Sequence, residues 1–136
     1  MITRGVKGTH AGVLQVCGGF RFNTASDPTS FMGNTIASVV HTSTGVWTVT
    51  LVSALKNARG VISLGAPGLE LDSSALTFLT WGKADFAAGT YIVRAYTESA
   101  GSLALADIAA GSNRGNWCHF RMNLKYGTER QGDHIT

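Results

Sequence analysis

Ile36-Ala37-Ser38-Val39-Val40-His41-Thr42-Ser43-Thr44-Gly45-Val46-Trp47-Thr48-Val49-Thr50-Leu51-Val52 is the stretch on which the fold turns. Successive side chains of an extended chain point to opposite faces. Val46, Thr48, Thr50 and Val52 therefore share one side, and Trp47, Val49 and Leu51 the other. Only the Trp47 side is large and strictly apolar, so it is the side expected to face a core. Ile36–His41 is rich in β-branched residues and Thr42-Ser43-Thr44-Gly45 has turn chemistry. Residues 36–52 thus read as a hairpin with a loop of about four residues.

The same grammar extends in both directions. Upstream, Val13–Phe22 alternates, with Gly18-Gly19 marking a bulge or a close approach. Asn23–Asn34 reads as a loop. Downstream, Ser53–Ala58 reads as a short helical or turn segment, followed by strands at Val61–Leu64, Ala75–Trp81 and Thr90–Thr97. Ser102–Asp107 is a weaker strand, Ala109–Gly115 a loop, and Trp117–Leu124 the last strand. About eight strands spaced by Gly, Asn, Asp and Ser turns predict an all-β, single-domain, eight-stranded jelly-roll-like β-sandwich. Its parts are an extended N-terminal arm (residues 1–12), the sandwich (13–126) and a polar C-terminal tail (127–136). A jelly roll commonly places its first and last strands side by side. Val13–Phe22 and Trp117–Leu124 are therefore expected to be neighbours, with Cys17 and Cys118 within a few residues of pairing.

Composition agrees with one β domain. The chain has 136 residues, enough to bury about two-thirds of its unfolded surface without a disulfide or metal. Only 14% of residues are charged, against a usual quarter or so, and 15 Thr, 11 Ser and 17 Gly supply the polarity instead. A surface so low in charge fits a protein partly covered by copies of itself. The net charge of +3 is too small and scattered for a nucleic-acid protein. One asymmetry stands out: residues 1–22 hold Arg4, Lys7 and Arg21, with His10 as an optional cation, and no acid. These four are candidate partner-binding residues on a basic arm that would lie on an acidic surface, the other reading being a solvated terminus.

No apolar stretch of signal-peptide length opens the sequence and no run reaches the roughly 18 apolar residues of a membrane span, so synthesis in a cytoplasm is expected, with no membrane partner. Cys17 and Cys118 are then reduced at synthesis and read as small core residues, a disulfide formed later outside a cell being the alternative.

The search for chemistry finds none. No nucleophile elbow accompanies His10, His41, His119 or His134, and adjacent Cys118 and His119 fall on opposite strand faces. Glu70 and Asp72 read as a solvated loop edge rather than paired acids. No calcium loop or zinc helix is present, so neither enzyme activity nor a cofactor or metal is expected. Trp47, Trp81 and Trp117 would stack on sugars or bases if exposed, but their apolar neighbours favour core or subunit-contact roles. Arg94, inside Thr90–Thr97, either marks a solvated sheet face or pairs with an acid across an oligomer contact.

The block Asn34–Leu51, a β-branched strand, a Thr/Gly turn and then Gly45-Val46-Trp47-Thr48-Val49-Thr50-Leu51, resembles a unit of small jelly-roll virion proteins of tailed bacteriophages. Gly89-Thr90-Tyr91-Ile92-Val93-Arg94 is in keeping with it. The resemblance implies a homotrimeric capsid decoration (cement) protein that meets the major capsid protein or other virion proteins. A tail-fibre, spike or baseplate knob is the runner-up, and a soluble carbohydrate-binding module the alternative from another class. It carries over no catalytic residues.

Overall fold

A computed structural model describes residues 6–10, 12–65, 67–70, 76–112 and 115–126. Among these the strands are β1 (Val6–His10), β2 (Val13–Arg21), β3 (Phe31–Met32), β4 (Ile36–Ser43), β5 (Val46–Leu51), β6 (Gly60–Leu64), β7 (Gly68–Glu70), β8 (Thr77–Asp85), β9 (Thr90–Ser99), β10 (Ser102–Leu105) and β11 (Trp117–Lys125). A single 3₁₀ turn at Ser53–Leu55 follows β5, within the segment expected to be helical or turn-like. The chain is all-β, built as two antiparallel sheets that face one another.

The first sheet is organised around β2 and β11, which pair without interruption from Trp117↔Arg21 to Lys125↔Val13. Its edges are split: β1 and β3 share the free side of β2, and β6 and β7 the free side of β11. The first and last long strands are therefore neighbours, as expected. The second sheet is organised around β9. β8 lies on one side of it, β5 and β10 lie along the other, and β4 is outside β5. The hairpins β4–β5 and β8–β9 each stay within one sheet rather than alternating between sheets, and the architecture is a two-sheet sandwich.

Alternation explains which residues meet between the sheets. Trp47, Val49 and Leu51 of β5 are fully buried, as are Val16 and Phe20 of β2, Cys118 and Leu124 of β11, and Val93 of β9. Aromatic edges join the layers. Phe22 packs on Trp47 with ring centroids 4.7 Å apart, and Trp81 of β8 packs on Phe120 of β11 at 5.7 Å. Each fully buried large apolar side chain is worth about 1.5–3 kcal/mol, so this seam dominates the stability.

The short strands are the departures from expectation. Residues 6–10, assigned to an arm, form β1 in register with β2, and Phe31–Met32 of the expected loop pairs with Gly19 and Phe20. β8 begins two residues later than expected and runs on to Asp85 through a register shift between Trp81 and Ala84. The β4–β5 loop is only Thr44-Gly45, since Ser43 pairs with Val46. Gly45 has φ +70°, and a Cβ there would lie 2.7 Å from the Ala106 backbone nitrogen. Glycine is thus required both for the turn and for the passage of the chain behind it.

Gly18-Gly19 is a close approach and not a bulge, because the β2–β11 register runs through it unbroken. A Cβ on Gly18 would meet Phe120 Cζ and Thr35 Oγ1, each at 2.7 Å. The vacant position lets the Phe120 ring lie over β2 and lets Thr35 Oγ1 donate to the Cys17 carbonyl at 2.8 Å.

Candidate functional site

The outward faces of the two sheets have different chemistry. On the second sheet, β-pairing aligns Phe78 of β8, Tyr96 of β9 and Leu105 of β10 in one row across three strands. The next row sets Leu103 opposite Glu98, and the Glu98 N–H donates to the Leu76 carbonyl. Leu76 and Leu103 are 57% and 59% exposed, and Phe78 and Leu105 about 40%. Scattered exposed apolar residues need no explanation, but contiguous ones mark interaction surfaces.

Two charges frame this patch on β9, at Arg94 and Glu98, two residues either side of Tyr96. The Arg94 guanidinium occupies the space over Gly82 of β8, where a Cβ would come within 2.6 Å of it. It has no carboxylate partner among the described residues. The Glu98 carboxylate accepts the Gly101 N–H at 2.7 Å with Oε1, which fixes the β9–β10 turn. Both readings of Arg94 place it on an outward face, and that face is partly apolar.

The first sheet differs. Outward positions of β2 and β11 carry Arg21, His119, Arg121 and Lys125, and neither strand contains an acid. Trp117 and His119, two apart on β11, stack with rings 15° from parallel. Of the four candidate partner-binding residues, Arg4 lies outside the described residues. Lys7 and His10 lie in β1, in register with Gln15 and Val13. Arg21 is committed to the fold: its Nε and Nη2 donate to the carbonyls of Ala110 and Gly111 at 3.1 and 3.2 Å, which holds the 109–112 loop against β2.

A second polar cluster was not anticipated. His41 Nε2 lies 2.7 Å from Asp107 Oδ1, and the same oxygen accepts the Gly45 N–H at 2.7 Å. The His41 N–H donates to Asp27 Oδ1 at 2.8 Å, and its ring edges onto Trp47. Partial desolvation pushes the Asp107 carboxyl up, but the Gly45 N–H and His41 outweigh it and hold the group below its ordinary value. The arrangement is a latch between the β4–β5 turn and the 106–108 segment. The adjacent Thr42 hydroxyl is instead bonded to the Thr48 hydroxyl at 2.7 Å, so it is not held as a nucleophile for the imidazole.

The tryptophans do not form one stripe. Trp47 is fully buried, Trp81 is half-buried with Nε1 donating to the Gly65 carbonyl, and Trp117 lies on the opposite sheet's outer side. The cysteines are free and on opposite faces. Cys118 is buried opposite Phe20, while Cys17 points outward opposite Arg121, which corrects its assignment to the core. Among the described residues no group of three or more His, Cys, Asp or Glu is placed to hold a metal ion. Glu70 lies in β7 and Asp72 outside the described residues. Comparison with protein-family profiles, with curated proteins and with solved structures finds no match.

Proposed function

We propose that this chain is a non-enzymatic structural protein of a bacteriophage virion, specifically a capsid decoration (cement) protein that binds the outer shell as a homotrimer and stabilises it. The observation that carries the reading is the contrast between the two outward sheet faces, one with an exposed apolar row among charges of both signs, the other with cations and no acid on its two central strands. A decoration protein performs no bond chemistry. It needs one surface for copies of itself and another for the shell, and binding only the assembled shell shifts assembly by mass action. The β4–β5 hairpin, which carries the block similar to phage virion proteins, supports the same assignment.

In this reading the protein is made in the host bacterial cytoplasm and acts on the virion. Arg4, Lys7 and His10, with Arg121 and Lys125 of the basic sheet, face acidic groups of the major capsid protein. Arg21 instead holds the 109–112 loop at the other end of β2. Three copies binding at once replace one strong contact by several modest ones.

The test is co-sedimentation with capsids of the virus that encodes the chain, stripped of their decoration proteins. The expected result is saturable binding that weakens with salt and raises the temperature at which the shells come apart. Absence of binding, with tryptophan fluorescence instead quenched by added glycans, would replace this reading by a carbohydrate-binding one.

A further inference from the structure

We infer that the outward face of the second sheet is a contact between copies of this chain, in which Arg94 of one copy pairs with Glu98 of the next. The inference rests on the self-assembling role proposed above and names the surface and the charge pair that such assembly would use. The apolar part of the face is the row Phe78, Tyr96 and Leu105 together with Leu76 and Leu103. An aromatic residue, Tyr96, at the centre of an apolar patch with Arg94 and Glu98 at its margins has the arrangement of an interface: apolar and aromatic inside, polar at the rim.

The occupant follows from the charges. Arg94 is laid over Gly82 beside this apolar row without a carboxylate partner among the described residues. Covering the row would desolvate the guanidinium, which is costly unless the covering surface brings an anion. Glu98 of the same copy cannot serve, because it lies four residues along β9, about 13 Å away. It is nevertheless on the same face, bordered by Leu76 and Leu103, and its Oε2 is not the oxygen that fixes the turn. A second copy therefore presents what the Arg94 end lacks: a carboxylate set between two exposed leucines. Offering the Glu98 end to one neighbour and the Arg94 end to the other makes a head-to-tail contact, the kind that a ring of three, the trimer proposed above, requires.

Light-scattering mass of the full chain, with charge reversals, tests this. The wild type is expected at about 43 kDa, three chains of 14.3 kDa. Arg94→Glu and Glu98→Arg each place like charges opposite one another and are expected to weaken association about a hundredfold or more, giving monomers with unchanged far-UV circular dichroism. The double variant R94E/E98R restores the pair and the wild-type mass. Because Glu98→Arg also removes a turn bond, Leu103→Asp serves as an independent probe of the same face and is likewise expected to be monomeric.

An equimolar mixture of the two single variants distinguishes ring from pair. Alternating copies satisfy both contacts of a two-fold dimer, whereas a ring of three always retains one like-charged contact. The mixture is therefore expected to recover no trimer, and recovery of a dimer as tight as the wild-type assembly would overturn the ring. A trimeric wild type whose single reversals and Leu103→Asp all remain trimeric overturns this face while leaving the decoration role standing. A wild type that is monomeric throughout overturns both.

Discussion

Cys17 and Cys118 show how one position of parity decides a residue's chemistry. Both are in the long central strands, yet Cys118 is fully buried opposite Phe20 and Cys17 faces outward. Burial pushes the Cys118 thiol up, because the thiolate loses its solvation. A thiol reagent is expected to modify one cysteine per native chain, at Cys17, and two in denaturant. Peptide mapping of the modified protein checks this, and rapid native labelling of Cys118 would contradict it. The sequence contains the signal for this difference: Phe20 and Phe22 share parity with Val16, and Cys17 does not. Arg21 was less legible. Its place among N-terminal cations suggested a partner, but its guanidinium meets two carbonyls some 90 positions away, and nothing local marks that loop. Arg94 falls between these cases, since its outward position was readable and its lack of a partner was not.

Elements were legible where a strand carries its own alternation. β5 and β9 were read closely because Trp47-x-Val49-x-Leu51 and Tyr91-x-Val93-x-Ala95 each label a core face. β3 and β7, two and three residues long, have no period to read and exist because long neighbours pair with them. The His41–Asp107 latch was illegible for a related reason, as it joins groups 66 positions apart. Its contribution to stability has a definite sign. A carboxyl held below its ordinary value in the folded state binds protons more tightly when unfolded. Its stabilisation is therefore present above the unfolded value, about 3.9, and is lost as pH falls through the lower folded value. Asp107→Ala, which also leaves the Gly45 N–H without this acceptor, is expected to cost about 1–2 kcal/mol at neutral pH. Urea unfolding at several pH values should show the gap between variant and wild type shrinking below about pH 4. A gap that is constant across that range would contradict the latch.

At the scale of the whole molecule, the two sheets share one core and present different exteriors. The buried seam from Phe22 through Trp47 and from Trp81 through Phe120 fixes the sandwich. What is left outside is an apolar row on one sheet and cations on the other. The low charge of the sequence pointed to a partly covered surface, but which surface depends on how β8, β9 and β10 align, and that alignment is a long-range property. Phe78 and Leu105 are 27 positions apart in the chain and occupy one row only because both pair with Tyr96. Self-association is the claim on which both the decoration role and the Arg94–Glu98 contact depend. The measurement that tests it most directly is the solution mass of the purified wild-type chain by size-exclusion chromatography with light scattering, over a range of concentrations. A stable species of about 43 kDa, three chains of 14.3 kDa, is expected. A single species at 14.3 kDa at every concentration would contradict it.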